Sequence, residues 1–144
     1  MITNRKFGWM LSICLFVLFS TTASAQTAGL LSGGAQKLPP ITLAVGQPLA
    51  EGPITLKSGG YYKLVIACDG SGELAIGGHD FFRNIWVNEV TINDIEVRPM
   101  GLSSLEFDDE GEAEIKFIAI RPGRYELRIP GTTGETQGVT VIIE

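Results

Sequence analysis

Histidine and cysteine are nearly absent from this sequence, which has one histidine and two cysteines among 144 residues. A structural zinc site takes four Cys or His ligands, and an all-histidine catalytic site takes three histidines. The chain cannot supply either set alone. Basic residues are also few, with 11 Lys and Arg against 16 Asp and Glu. Nucleic-acid-binding proteins usually carry a basic face, so we expect no nucleic-acid partner.

The longest apolar run is too short to span a membrane. It covers residues 7–19, follows Arg5 and Lys6, and leads to the small residues Ala23 and Ala25. A spanning helix needs about 20 apolar residues, whereas this pattern is typical of a secretory signal peptide with an A-x-A cleavage site. We therefore expect residues 1–25 to be removed after Ala25, export to the periplasm or outside the cell, and no transmembrane segment afterwards.

Removal of residues 1–25 leaves one cysteine, Cys68, together with His79 and Met100 as the single residues of their types. A lone cysteine in an exported chain cannot form an internal disulfide. Buried thiol is the usual fate of such a residue. The expected mature chain has nine basic and sixteen acidic residues, giving a net charge of −7.

The rest of the chain predicts an all-β domain. Residues 26–39 are rich in small residues without a period, and we expect a flexible lead-in. From residue 40 to 144, short β-branched and aromatic runs are interrupted every eight to twelve residues by Gly, Pro, Asn or Asp. This spacing is typical of a β-sandwich or barrel. The predicted strands lie near residues 41–45, 53–56, 61–66, 73–76, 85–92, 95–98, 104–107, 112–119, 124–129 and 139–143.

One turn carries a more specific signal. Pro122 and Gly123 connect two strongly alternating segments, and Tyr125 follows two residues later. This order resembles a tyrosine corner, in which the phenol hydroxyl bonds nearby backbone at a Greek-key crossover. Its expected role is structural.

The second half of the chain resembles a cupredoxin domain. The resemblance is carried by residues 96–99, 105–107, the acidic turn and strand at 108–117, and residues 121–127, with Pro122-Gly123-x-Tyr125 as its most specific part. It implies a Greek-key β-sandwich over residues 40–144. It also implies a copper-ligating Cys, His and Met around the final loop, where this chain instead has residues 128–138 without any of those types. His79 falls near the place of the family's first histidine ligand.

A type-1 copper centre needs two imidazoles and a thiolate, so the resemblance implies a scaffold without the standard centre. We expect no cofactor. The alternative is copper held in an incomplete or shared site by His79, Met100 or Cys68, since Cu(I) accepts two or three such ligands. The ordinary roles of these residues argue against this alternative: a buried cysteine, a surface histidine and a packing methionine.

The acidic turn around residues 106–114 offers oxygen ligands that suit calcium. It lacks the spacing of a calcium loop, and a solvated turn is the expected outcome. Catalytic motifs are also missing: the sequence has no G-x-S-x-G elbow and no phosphate-binding loop. We expect a protein that is not an enzyme.

The most unusual local composition lies at residues 79–86. Arginine and tryptophan are enriched in binding hot spots, and the segment predicts a docking surface for a periplasmic protein or a small ligand formed by His79, Asp80, Phe81, Arg83 and Trp86. Strand alternation would bury one or two of its aromatic side chains in the core instead. A third hypothesis is a carbohydrate-binding module that stacks sugars on Tyr61, Tyr62 or Trp86.

Overall fold

A computed structural model describes Leu31 and residues 33–144, so the expected leader, residues 1–25, lies outside the described residues. The described chain forms two sheets packed face to face. Sheet A contains β1 (Gln36–Lys37), β2 (Ile41–Leu43), β4 (Tyr61–Cys68), β6 (Ile85–Ile92), β7 (Ile95–Val97) and β9 (Gly111–Ala119); sheet B contains β3 (Ile54–Leu56), β5 (Leu74–Gly77), β8 (Ser104–Phe107), β10 (Gly123–Arg128) and β11 (Gly138–Ile143). One short helix, α1 (His79–Arg83), and a 3-10 turn (Glu135–Gln137) complete the described elements. The predicted all-β sandwich is confirmed.

The alternation of apolar and polar residues determines which side of each strand is buried. In β4, Tyr62, Leu64 and Ile66 point into the core, and in β9 Ile115 and Phe117 do the same. The core between the sheets is continuous, because sheet B contributes Leu127 of β10 and three residues of β11 to the same cluster. Burial of these side chains is the main stabilising contribution to a fold that has no disulfide among its described residues.

The order of strands in each sheet differs from their order in the chain. Sheet A runs β1-β4-β9-β6-β7, with β2 also paired to β4, and sheet B runs β3-β11-β10-β5-β8. Because β9 and β10 are consecutive but lie in different sheets, the chain passes from sheet A to sheet B between them. β1 belongs to the stretch expected as a lead-in, and it pairs in parallel with β4 at Tyr62 and Lys63.

The crossover from β9 to β10 is a tyrosine corner, as predicted. The Tyr125 hydroxyl donates a hydrogen bond of 2.8 Å to the carbonyl oxygen of Arg121. A Cβ atom on Gly123 would lie 2.8 Å from that hydroxyl oxygen, which explains why glycine occupies this position. The bond ties β10 to the turn that precedes it.

We expect Tyr125→Phe to lower the free energy of unfolding by about 1 kcal/mol, because the Arg121 carbonyl loses its side-chain partner while the ring keeps its packing. Urea denaturation of the two proteins measures the difference. An unchanged midpoint would mean that water replaces the hydroxyl without cost, and that the hydrogen bond to Arg121 contributes nothing to stability.

The described residues contain no helix with the length and apolarity required to cross a bilayer.

Candidate binding surface

Helix α1 follows directly after strand β5 of sheet B. β5 ends at Gly77, and Gly78 then packs so closely on β10 that a Cβ atom would lie 2.4 Å from Leu127 Cδ2. The next five residues form α1, and two of them, Phe81 and Phe82, are buried. The chain is thereby held against the sandwich by its aromatic side.

The predicted docking residue Phe81 is a core residue, so its assignment to the surface is wrong. Its side chain is only 1% exposed and packs edge-to-face on Phe117, with ring centroids 5.6 Å apart. Tyr125 of the corner lies on another side of the same ring at 6.3 Å. Burying a large aromatic ring in the core is more favourable than exposing it on the surface. Phe81 therefore anchors α1.

The exposed side of α1 carries the other predicted residues, His79, Asp80 and Arg83. Arg83 Nη1 lies 3.3 Å from His79 Nε2, and His79 Nδ1 lies 3.5 Å from Asp80 Oδ1. Because a guanidinium group only donates hydrogen bonds, the His79 ring nitrogen is the acceptor in the contact with Arg83. The three side chains form one polar cluster on the helix.

An open groove of about 590 Å³ lies on the sheet B side of α1; we call it the His79 groove. One wall is the helix start, and the other is the outer face of β10, with Arg124, Glu126 and Arg128. Arg128 donates hydrogen bonds to Glu126 and to the Gly134 carbonyl. The first of these lowers the pKa of the Glu126 carboxyl. Sequence reasoning missed this wall, although outward alternation along β10 was the signal for it.

A second groove of about 380 Å³ lies on the sheet A side of α1; we call it the Trp86 groove. Arg83 and Trp86 line one side, and Met100 lines the other from the loop between β7 and β8. Trp86 is 49% exposed. Met100 is fully exposed, so the expectation that it packs in the core is wrong. The predicted surface residues His79, Asp80, Arg83 and Trp86 therefore do lie together, at one end of the sandwich.

The three aromatic residues of the carbohydrate hypothesis lie in different environments. Tyr62 is buried, and its hydroxyl accepts a hydrogen bond from the backbone N–H of Lys57, so its assignment as a stacking residue is wrong. Tyr61 and Trp86 both lie opposite Ile118 on the outer face of sheet A. Tyr61 is half-buried and accepts a hydrogen bond from Asn88.

Cys68 and the end of α1 lie at opposite ends of the sandwich. Cys68 is 3% exposed and lies opposite Gly111, where β9 begins. The end of α1 lies where β9 finishes, because the Asn84 carbonyl accepts hydrogen bonds from Ile120 and Arg121. Eight strand residues at about 3.3 Å each separate Cys68 from the end of α1 by about 26 Å. Cys68 is buried in the core whereas His79 is exposed on α1, and the predicted buried thiol is confirmed.

His79 shares its groove with Arg128 and Pro130 of the segment in which the cupredoxin family places its other ligands, and neither of these residues is a copper ligand. β5 runs antiparallel to β10 with Gly77 opposite Arg128, so the chain after Gly77 continues beside Glu126. Met100 lines the Trp86 groove, whereas His79 lines the His79 groove. Arg83 lies between them.

A polar network on the outer face of sheet A was not predicted. Glu89 is 5% exposed, and its carboxylate meets Lys116 Nζ at 2.7 Å and Arg98 Nη2 at 3.2 Å. Lys116 also contacts Glu114, which in turn binds Lys63. Burial raises the pKa of Glu114, but the two lysines outweigh it and hold the pKa below its ordinary value. The Glu89 carboxylate raises the pKa of Lys116.

The acidic turn brings carboxylate oxygens of Glu73, Glu106 and Asp108 within 4.8 Å of one another, and all three residues are exposed. Exposed carboxylates in this arrangement are common on solvated turns.

Solved structures show the same fold. The chain superposes on a multicopper oxidase from Aquifex aeolicus with a TM-score of 0.57 at 14% identity, covering 83% of this chain and 32% of that one. The chain has a cupredoxin-like fold. A copper-containing nitrite reductase from Thermus scotoductus gives 0.57 at 13% identity, covering 78% and 31%. A multicopper oxidase from Pseudomonas thermotolerans gives 0.57 at 13% identity, covering 76% and 30%.

This cupredoxin-like chain spans about a third of the length of those proteins. Identities this low establish the fold and not the activity. No family model matches the sequence, and no curated protein matches it.

Proposed function

We propose that the chain is an exported, non-enzymatic cupredoxin-like module that docks a protein or a small ligand at the end of the sandwich carrying α1. The observation that carries the proposal is the division of α1 into two sides. Phe81 and Phe82 hold the helix in the core, while Arg83 and its neighbour Trp86 are presented on a groove. A rigidly held Trp and Arg pair beside a concavity has the composition of a binding hot spot.

The lining of the His79 groove supports binding over catalysis. Its histidine pairs with an arginine and an aspartate. Its hydroxyl groups have other partners: Tyr125 donates to the Arg121 carbonyl, and Thr140 accepts from Arg124. A nucleophilic mechanism needs a hydroxyl or thiol bonded to a base, and the described lining residues are paired differently.

Copper handling is the second candidate function. It is favoured by the position of His79 and Met100 at the same end of the molecule, on the two grooves that flank Arg83. Imidazole and thioether are both ligands for Cu(I). Cys68 is not one of the copper ligands in this second candidate function.

Docking is tested by placing a photo-crosslinking amino acid at Arg83 or Trp86 of the exported protein in the producing cell. Ile95 is the matched control, because it is 65% exposed and lies near the far end of β6. We expect a discrete protein adduct from positions 83 and 86 only, or a small-ligand mass increment in native mass spectrometry that Trp86→Ala removes. The same adducts from position 95, or neither signal, would contradict the proposal.

A further inference from the structure

Three exposed apolar side chains surround the sheet A side of α1. Trp86 and Ile120 are 49% and 48% exposed, and Met100 is fully exposed. The Ile120 N–H bonds the Asn84 carbonyl at 3.2 Å, which places Ile120 beside the junction of α1 and β6. Met100 faces Trp86 across the Trp86 groove. Isolated exposed apolar residues are ordinary, but a group at one end of a molecule indicates an interaction surface.

Cations lie next to these apolar side chains. Arg83 precedes the junction, and the Arg121 N–H bonds the same Asn84 carbonyl at 3.0 Å. The turn that begins at Lys57 is joined to Ile120 by a 2.6 Å hydrogen bond from the Ser58 hydroxyl. We call the six residues the Trp86 rim: Lys57, Arg83, Trp86, Met100, Ile120 and Arg121.

The opposite end of the sandwich has the opposite charge. The β4–β5 and β8–β9 turns carry Asp69, Glu73, Asp108, Asp109 and Glu110 without an intervening basic residue. The acidic residues at the rim's own end are Asp80 and Glu144. Asp80 belongs to the polar cluster with His79 and Arg83, and the Glu144 N–H bonds the Leu56 carbonyl. The charge of the chain is therefore strongly polarised along the strands.

We propose that the Trp86 rim docks on the surface of an anionic phospholipid bilayer. Tryptophan favours the boundary between headgroups and acyl chains, exposed aliphatic tips insert beside it, and nearby Lys and Arg are attracted to anionic headgroups. The acidic end is repelled by the same surface, so the molecule stands with its strands pointing away from the bilayer. This inference goes beyond the docking function proposed above, because it assigns Arg83 and Trp86 to a bilayer instead of a protein or a small ligand. The His79 groove on the sheet B side stays open.

Tryptophan fluorescence tests the proposal directly, because loss of residues 1–25 leaves Trp86 as the sole tryptophan. The exported protein is mixed with vesicles of phosphatidylcholine alone, or of phosphatidylcholine with an equal amount of phosphatidylglycerol. We expect a blue shift of the emission and co-sedimentation with the anionic vesicles only, both reduced by high salt. Arg83→Glu and Arg121→Glu are each expected to weaken partitioning by about tenfold or more, because each changes the rim by two charges.

Lys37→Glu is the matched control for net charge, since Lys37 is exposed on β1, and it is expected to partition nearly as the parent does. Met100→Ser is expected to weaken partitioning, whereas Ile95→Ser is not. The proposal would be overturned by no shift with either vesicle, by an equal shift with both, or by a shift that rises with protein concentration alone and so assigns the rim to a second copy. A shift with poly-glutamate but not with vesicles would overturn it in favour of an acidic polypeptide. Vesicle binding reports on the bilayer, and crosslinking from positions 83 and 86 reports on a protein partner, so separate measurements test the two proposals.

Discussion

Replacing Phe81 with alanine is expected to lower the free energy of unfolding by about 3–5 kcal/mol, which is the usual cost of removing a fully buried phenylalanine. The ring is 1% exposed and contacts Phe117, Tyr125 and Phe82. Its loss leaves a cavity at the point where α1 joins the core. Urea denaturation measures the effect.

The matched variant is Phe81→Leu, which keeps most of the buried volume and is expected to cost clearly less. Partner crosslinking from position 83 is expected to fall in Phe81→Ala even under conditions where the protein is folded, because α1 loses its anchor. A cost below about 1 kcal/mol would contradict the assignment of Phe81 to the core.

Replacing Lys116 with methionine is expected to lower the free energy of unfolding by about 2–3 kcal/mol at neutral pH. The substitution leaves one oxygen of the buried Glu89 carboxylate without its 2.7 Å partner, and an uncompensated buried charge is costly. Arg98 still contacts the other oxygen, so the effect is smaller than for a fully buried pair. Because the pKa of Lys116 is raised, its contribution is complete at neutral pH and is lost as the pH rises above about 10.4.

The double variant Glu89→Met, Lys116→Met tests the reason for that effect. Replacing both partners by apolar groups removes the uncompensated charge, so the double variant is expected to be more stable than Lys116→Met alone. If the two substitutions destabilise additively, Glu89 and Lys116 do not act as a pair.

Most strands were predictable because one of their faces is buried. Alternation in β4, β9 and β10 fixed both the position and the inward face of these strands. Helix α1 was not predicted, because five residues are too few to show a helical period and its two buried residues are adjacent. Gly78 was its only local signal, and the close contact with Leu127 that requires this glycine is a tertiary feature.

The surface was harder to predict because alternation in β6 is interrupted. A bulge between Val87 and Glu89 shifts the pairing with β9, so Val87 and Val90 are both buried while Trp86 and Glu89 share the outer face. Strict alternation would have put Glu89 on the inward face. The distance between Cys68 and His79 likewise depends on which strands pair. The spacing of the two residues in the sequence does not give this pairing.

The central claim, a cupredoxin-like module that works by docking rather than through copper, is tested most directly by copper titration of the exported protein. We expect no intense visible band with Cu(II), because a thiolate–copper chromophore needs a cysteine beside two imidazoles and the buried Cys68 lies far from the sole histidine. In competition with a Cu(I) chelator, we expect binding no tighter than that of an unrelated protein with one histidine, and no change in Cys68→Ser. Tight one-to-one binding of Cu(I) that is lost in His79→Ala and Met100→Leu would contradict the claim and establish copper handling instead.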